Sequence, residues 1–291
     1  MKRRGRWHKI LALGLAAVLS VGMLVGCGSK SGSSSSSSGK GYRTLDEIKK
    51  SGTIRIGVFS DKSPFGYVDD DGNYAGYDVY FAERLGKDLG VKIKYVSTEA
   101  ASRVEYLQTG KVDIILANFT VTDERAKQVD FAEPYMHVGL GVVSHDDRVI
   151  TDMSQIKDDD QVIVISGTTA ETYLTKNYPN IKQQKFDTYA AAKSAFENGT
   201  GVAWANDNTE VIAFAKANKG YTVGIDALGD PDTIAPAVTK GNSTLLKWIN
   251  EEIENLGKEN FFHKDYEATL TSTYGADYED TLVIEGGKSS K

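Results

Sequence analysis

From residue 44 onward, short β-branched runs alternate with stretches whose apolar residues recur every three or four positions, and the whole alternation occurs twice. Runs of the first kind make strands and stretches of the second kind make helices, so repeated alternation gives sheets sheathed by helices. In the first series, residues 53–59 (TIRIGVF) predict a strand, and residues 77–89 predict a helix with Val79, Phe81, Ala82, Leu85 and Leu89 on one face. Residues 92–96 and 112–117 predict further strands, and residues 102–109 and 123–128 further helices. A second series starts near residue 161, with strands expected at 162–165, around 185 and at 201–205, and helices at 170–177, 189–197 and 209–218. Between the two series lie residues 138–144 (VGLGVVS) and 232–239 (DTIAPAVT), both extended in character, which read as paired crossover strands. The amphipathic helix expected over 243–257 follows the second crossover, so it belongs with the first lobe. Two α/β lobes joined by two strands enclose a cleft at the carboxyl ends of the strands, where ligands bind in folds of this class.

Composition narrows the chemistry. One cysteine and four histidines in 291 residues supply no internal disulfide and too few ligands for the usual structural zinc site. No cofactor is expected. With 34 Lys and Arg against 40 Asp and Glu, the net charge of −6 disfavours a nucleic-acid surface. A hydrophobic content of 40% is enough to bury a core, which excludes wholesale disorder.

The first residues read as an address. Lys2, Arg3, Arg4, Arg6 and Lys9 precede a 16-residue apolar run at 10–25, shorter than the roughly 18 to 20 residues of a spanning helix. This is the pattern of an export signal over 1–26. Residues 24–27 (LVGC) resemble the bacterial lipobox, which implies cleavage before Cys27 and a diacylglycerol thioether on its sulfur. Residues 28–41 (GSKSGSSSSSSGKG) carry no apolar side chain and predict a polar tether. Loss of the signal removes five cations and no acid, so the exported chain would carry −11 and rely on acyl chains for membrane attachment.

Three segments carry candidate binding chemistry. In residues 118–135 (NFTVTDERAKQVDFAEPY), Thr122 is a candidate N-cap with Asp123 and Glu124 in the first helical turn. Arg125 follows where a cation is unfavourable, which suggests an anion is expected there; a surface ion pair is the alternative. Its guanidinium matches a carboxylate in a way that lysine cannot. In SGTTAE at 166–171, Thr168 and Glu171 have capping-box spacing, so a helix start presents free amides of Thr168, Thr169 and Ala170 to an anion, although a well-capped helix alone would look the same. Asp207, just beyond the strand at 201–205, can accept from an ammonium group or serve as an N-cap. Carboxylate anchors with an ammonium acceptor are the polar signature of an α-amino acid.

The stretches SDKSPFGYVD, GYDVYFAERL, LQTGKVDIILANFTVTDERAKQVDFAEPY and SGTTAE are similar to the family 3 solute-binding proteins of polar amino-acid ABC importers, over nearly the whole expected mature domain. The resemblance implies a bilobal α/β fold of the type II periplasmic-binding-protein class, with permease and ATPase partners and no catalysis. It implies ligand contacts from Asn118 and Thr120, Arg125 on the α-carboxylate assisted by Thr168 and Thr169, and Asp207 on the α-ammonium. IAPAV, FFHKDYEATL, LVIEGG and EAASRVEYL are further similar to the cysteine-binding branch. Phe59 stands where other members place a polar side-chain reader, and suits a small soft side chain; a lobe-packing aromatic is the alternative. Arg103 points the other way, toward aspartate or glutamate. Tyr80 departs from the acidic residue usual after GYDV.

The expectation is therefore an exported, lipid-anchored monomer on the outer face of the cell membrane, or on its periplasmic side if a second membrane exists, closing on a small polar amino acid, with cysteine first and acidic amino acids second. A dehydratase on the same scaffold is a weaker alternative, since no general acid or base stands beside the anchors, and an adhesin or sensor role stays open. The expected divisions are 1–26 signal, 27–41 lipidated cysteine and tether, 42–141 first lobe, 142–235 second lobe, and 236–291 the return to the first lobe with a tail.

Overall fold

A computed structural model describes residues 41–288. The expected signal, the lipid attachment at Cys27 and all of the tether but Gly41 lie outside the described residues. Among those residues no helix is long and apolar enough to cross a membrane.

The first series folds as α1 (Leu45–Ser51), β1 (Thr53–Val58), β2 (Asp61–Lys62), β3 (Gly66–Val68), β4 (Tyr74–Ala75), α2 (Tyr77–Leu89), β5 (Lys92–Ser97), α3 (Arg103–Gln108), β6 (Ile114–Ile115), α4 (Asp123–Ala126) and β7 (Val129–Phe131). The first crossover is β8 (Met136–His145). The second series is β9 (Gln161–Ile165), α5 (Thr169–Asn177), β10 (Lys182–Phe186), α6 (Tyr189–Glu197), β11 (Ala203–Asp207), α7 (Asn208–Ala217) and the long return strand β12 (Tyr221–Ile234). The chain closes through β13 (Ala237–Thr239), α8 (Ser243–Gly257) and α9 (Phe261–Thr269).

Two five-stranded sheets result, ordered β5-β1-β6-β13-β7 and β10-β9-β11-β8-β12. In each, a central strand pairs in parallel with two neighbours: β1 with β5 and β6, and β9 with β10 and β11. A strand from a crossover region then adds on antiparallel, β13 beside β6 and β8 beside β11. The alternation read from the sequence is thus two lobes of matching plan. Near the junction β8 and β12 run side by side, with Met136 opposite Ile234 and Val138 opposite Asp232. Pro236, which has no N–H to donate, separates β12 from β13.

Among the boundaries that differ from expectation, two bear on the site. The strand expected at 112–117 contracts to Ile114–Ile115, yet the Asp113 and Leu116 amides still donate to the Arg55 and Gly57 carbonyls at 2.8 and 2.9 Å. The strand expected at 201–205 begins two residues later because Gly201 is left-handed (φ +74°). Asp207 is consequently the last strand residue rather than a loop residue.

The apolar stripe of α8, Leu245, Ile249, Ile253 and Leu256, is fully buried in the same core as Ile54, Ile56 and Val58 of β1. The second lobe is centred on Trp204, packed edge-on against Phe214 at 5.4 Å. At the amino end of the β1–β6 pair, the buried Asp113 carboxylate accepts from the Arg55 amide at 2.8 Å and from Arg55 Nη2 at 2.6 Å, and it also pairs with Arg43. Burial alone would raise its pKa, but the Arg55 and Arg43 hydrogen bonds outweigh it and hold the carboxyl below its ordinary value. The contribution of a depressed carboxyl is present above its unfolded pKa and is lost as pH falls through the folded one. Asp113→Asn should therefore lower stability by about 2 kcal/mol near neutrality. Urea unfolding should show the gap between variant and parent closing below about pH 4, the ordinary carboxyl range.

Candidate functional site

The carboxyl ends of β1 and β11 and the loop after β6 bring the two lobes together. The residue at the centre is Lys62 on β2, which sequence reasoning passed over although it stands in the SDKSPFGYVD stretch. Its ammonium is fully buried and donates to Asp207 Oδ2 and Asn118 Oδ1, both at 2.6 Å. Burial would depress the lysine pKa, but Asp207 beside it, with Tyr189 and Glu210 nearby, overrides that effect and holds it above its ordinary value. Tyr189 supports the same charge through its ring, 4.9 Å from Nζ. The signal that could have revealed Lys62 is a cation in the loop directly after a buried strand, facing the cleft end of the sheet.

Asp207 is 5% exposed and makes no capping bond to α7, so of its two sequence readings the ion-pair geometry is the one seen. Among the described residues its Oδ1 carries no hydrogen bond, while Oδ2 holds Lys62. Glu210 behind it is paired with Lys193 at 2.9 Å.

Asn118 is an adapter between buried charges. It adopts φ +41°, a region Asn tolerates better than most residues. Its amide donates to Asp78 Oδ2 at 2.8 Å, its side-chain oxygen takes Lys62, and its carbonyl accepts from Arg103 at 3.2 Å. Its Nδ2 is buried without a partner. Asp78, fully buried on α2, also accepts from the Tyr135 hydroxyl at 2.6 Å.

Arg103 and Arg125 lie against the ring of Phe119, with guanidinium carbons 4.4 and 4.8 Å from its centroid. Sequence reasoning also missed this aromatic, which spaces the two cations. Arg103 spends its donors on the carbonyls of Ala100, Ala117, Asn118 and Gly167. Arg125 donates to the carbonyls of Thr120 (2.7 Å) and Gly167 (2.9 Å). Neither has a carboxylate partner among the described residues. Burial, and in Arg125 also the like charge of Arg103, depress both guanidinium pKa values, so both sites would gain from an anion.

Thr168 caps α5 as expected, accepting from the Glu171 amide at 3.3 Å, but Glu171 reaches back to the Gly167 amide (2.7 Å) instead of the Thr168 amide. The amides of Thr169 and Ala170 stay free of protein acceptors among the described residues. A groove of about 690 Å³ runs past Arg125, Gly167, Thr169 and Asp232. Phe59 is 1% exposed and meets Tyr189 edge-on at 5.2 Å, in a core that joins both lobes. The geometry thus gathers Lys62, Arg103, Asn118, Thr120, Arg125 and Asp207 at the meeting of the lobes, with Phe59 and Tyr189 as an apolar wall and Thr168 and Thr169 at the α5 start. Tyr80 lies apart, exposed on α2.

Residues 54–268 match the bacterial extracellular solute-binding proteins, family 3. The chain belongs to that family. Among solved structures, it is 48% identical to a cysteine-binding protein from Campylobacter jejuni, with a TM-score of 0.81, covering 83% of this chain and 98% of that one. It is 49% identical to a solute receptor for L-cysteine from Neisseria gonorrhoeae, with a TM-score of 0.82 and coverage of 84% and 100%. The ABC transporter glutamine-binding protein GlnH of Bacillus subtilis is 29% identical over 265 residues, 89% of this chain and 96% of that one. These relatives are binding proteins, so the chain is a binder and not an enzyme.

Gly167 marks the tightest backbone approach between the two lobes in this site. It has φ +79°, and a Cβ there would lie 2.4 Å from the Ala101 backbone of the other lobe. Gly167→Ala should hold the lobes apart, seen as a larger radius of gyration by small-angle scattering. The buried Asp78 carboxyl is pushed up to about 7 by burial, against the Tyr135 and Asn118 hydrogen bonds that lower it. Between about pH 4 and the folded value, the native state then holds a proton that the unfolded chain has lost, so stability falls as pH rises through that window. Asp78→Asn should flatten this decline in thermal unfolding followed across the same range.

Proposed function

We propose that this chain is the extracytoplasmic receptor of an amino-acid ABC importer, that its ligand is cysteine, and that it delivers the ligand to a membrane permease served by an ATPase. The observation that carries the reading is the convergence of two unpaired guanidiniums from one lobe with Asp207 from the other. The α-carboxylate takes Arg125 and the free amides of Thr169 and Ala170, with Thr168 fixing that helix start. The α-ammonium takes the open Oδ1 of Asp207, with Asn118 and Thr120 completing the floor. Phe59 and Tyr189 leave an apolar wall suited to a small side chain, and two solved relatives near half identity bind cysteine by name.

Ligand contacts drawn from both lobes stabilise the closed arrangement over the open one, because only closure supplies both sets at once. The lobe divisions at 42–141, 142–235 and 236–291, the signal at 1–26, the lipid on Cys27 and a monomeric state belong to the same proposal. Arg103 favours aspartate or glutamate as a second reading, because its guanidinium also lacks a carboxylate.

Saturating cysteine under reducing conditions should raise the melting temperature by mass action. Arg125→Ala should abolish the shift, since losing a buried charge partner costs about 2 to 5 kcal/mol. Equal stabilisation of the variant would remove the carboxylate assignment, and a response to glutamate or aspartate without cysteine would favour the second reading.

A further inference from the structure

The charges at the meeting of the lobes do not suit a zwitterion. Each buried carboxylate there already faces a cation or a donor: Asp207 pairs with Lys62 through one oxygen, Glu210 lies 2.9 Å from the Lys193 ammonium, and Asp78 accepts from the Tyr135 hydroxyl and the Asn118 backbone amide. The guanidiniums of Arg103 and Arg125 hydrogen-bond only to carbonyl oxygens among the described residues, and the half-buried Asp232 shares the groove with Arg125 without an ion pair to it. An α-carboxylate answers one of them. An α-ammonium joining Lys62 on Asp207 adds a second positive charge to a single carboxylate. A ligand with no further negative charge therefore leaves one guanidinium unanswered and crowds two ammonium groups together, in a desolvated place where like charges repel strongly.

The aromatic wall shows where the missing charge belongs. Lys62 Nζ and the guanidinium carbon of Arg103 both lie 5.7 Å from the centroid of the Phe59 ring, so that ring is bordered by two buried cations. An ammonium has three protons, and Lys62 uses two of them on Asn118 and Asp207. Tyr189 closes the compartment beside Phe59, and the partnerless Nδ2 of Asn118 adds a buried donor.

We propose that this compartment binds the ligand's side chain as an anion, and that cysteine is taken as its thiolate, with Lys62 and Arg103 as the residues that select the charge. The inference rests on the cysteine reading above. On binding, the S–H bond breaks, its electron pair stays on sulfur, and the proton passes to solvent. A soft, polarisable sulfur anion suits a pocket that is cationic at its corners and aromatic along its side, whereas serine, whose hydroxyl does not ionise near neutrality, offers no charge to match.

The groups facing Lys62 include one that titrates near neutrality, Asp78, so affinity against pH is not sufficient by itself. Ultraviolet difference spectroscopy reads the sulfur directly, because thiolates absorb where thiols do not. At about pH 6.5, free cysteine is almost entirely thiol. Mixing it with the protein should generate the thiolate band, and calorimetry in buffers of different protonation enthalpy should show one proton released per cysteine bound. The apparent dissociation constant should fall about tenfold per pH unit up to the free thiol pKa of about 8.5. Lys62→Arg should keep the band, and Lys62→Met should lose it at about pH 6.5. The parent spectrum is informative even if Lys62→Met folds poorly.

A cysteine complex with neither the band nor proton release would overturn the thiolate while leaving the cysteine reading intact. Binding of aspartate without cysteine would remove the cysteine reading and the thiolate with it, yet uphold an anionic side-chain subsite. Serine binding as tightly as cysteine at about pH 6.5 would overturn the subsite itself.

Discussion

The ion pair between Lys62 and Asp207 joins two lobes built on separate sheets, next to the apolar core that both share. Both groups are buried, so neither has water to fall back on, and each tolerates its position because the other is there. The pair also explains the conformation of Asn118, which shares the Lys62 ammonium and carries the contact onward to Asp78 and Tyr135 in the first lobe. A buried network of this kind is worth most when every member is satisfied. Here the exceptions are the open Oδ1 of Asp207 and the unpartnered side-chain Nδ2 of Asn118.

The second constraint is the carbonyl of Gly167. Arg103 and Arg125 both reach it across the cleft, and the residue's left-handed backbone and close approach to Ala101 exclude any side chain. Directional polar contacts thus surround a tight backbone approach beside the apolar core that both lobes share, and the Asp61 carboxylate also accepts from the Ala190 amide at the start of α6.

Much of the architecture was legible because periodicity reports burial. The helix at 189–197 agrees with the structure at both ends, as Thr188 caps it and the buried Tyr189, Ala192 and Phe196 recur at helical spacing. The length of β12 was not legible, since much of Tyr221–Ile234 is exposed and its pairing with β8 is irregular, so no alternation marks it. In the site, Arg125 and Asp207 could be found because each sits at a recognisable end of an element. Lys62 and Phe119 could not, because a lysine on a two-residue strand and a phenylalanine in a loop have ordinary solvent-facing and core-filling explanations until the partners across the cleft are known.

By itself, then, the sequence determined the order of strands and helices and the presence of two α/β lobes, both of which depend on residues near one another in the chain. Only the tertiary structure decided which charges meet. Lys62 and Asp207 are 145 positions apart, and Arg125 and Gly167 are 42 apart. Electrostatic character depends on distance and burial in three dimensions. A chain that is acidic in total therefore gathers the buried Lys62 and Arg103, with Arg125, around Phe59 and Phe119, an arrangement that no sum over its composition contains.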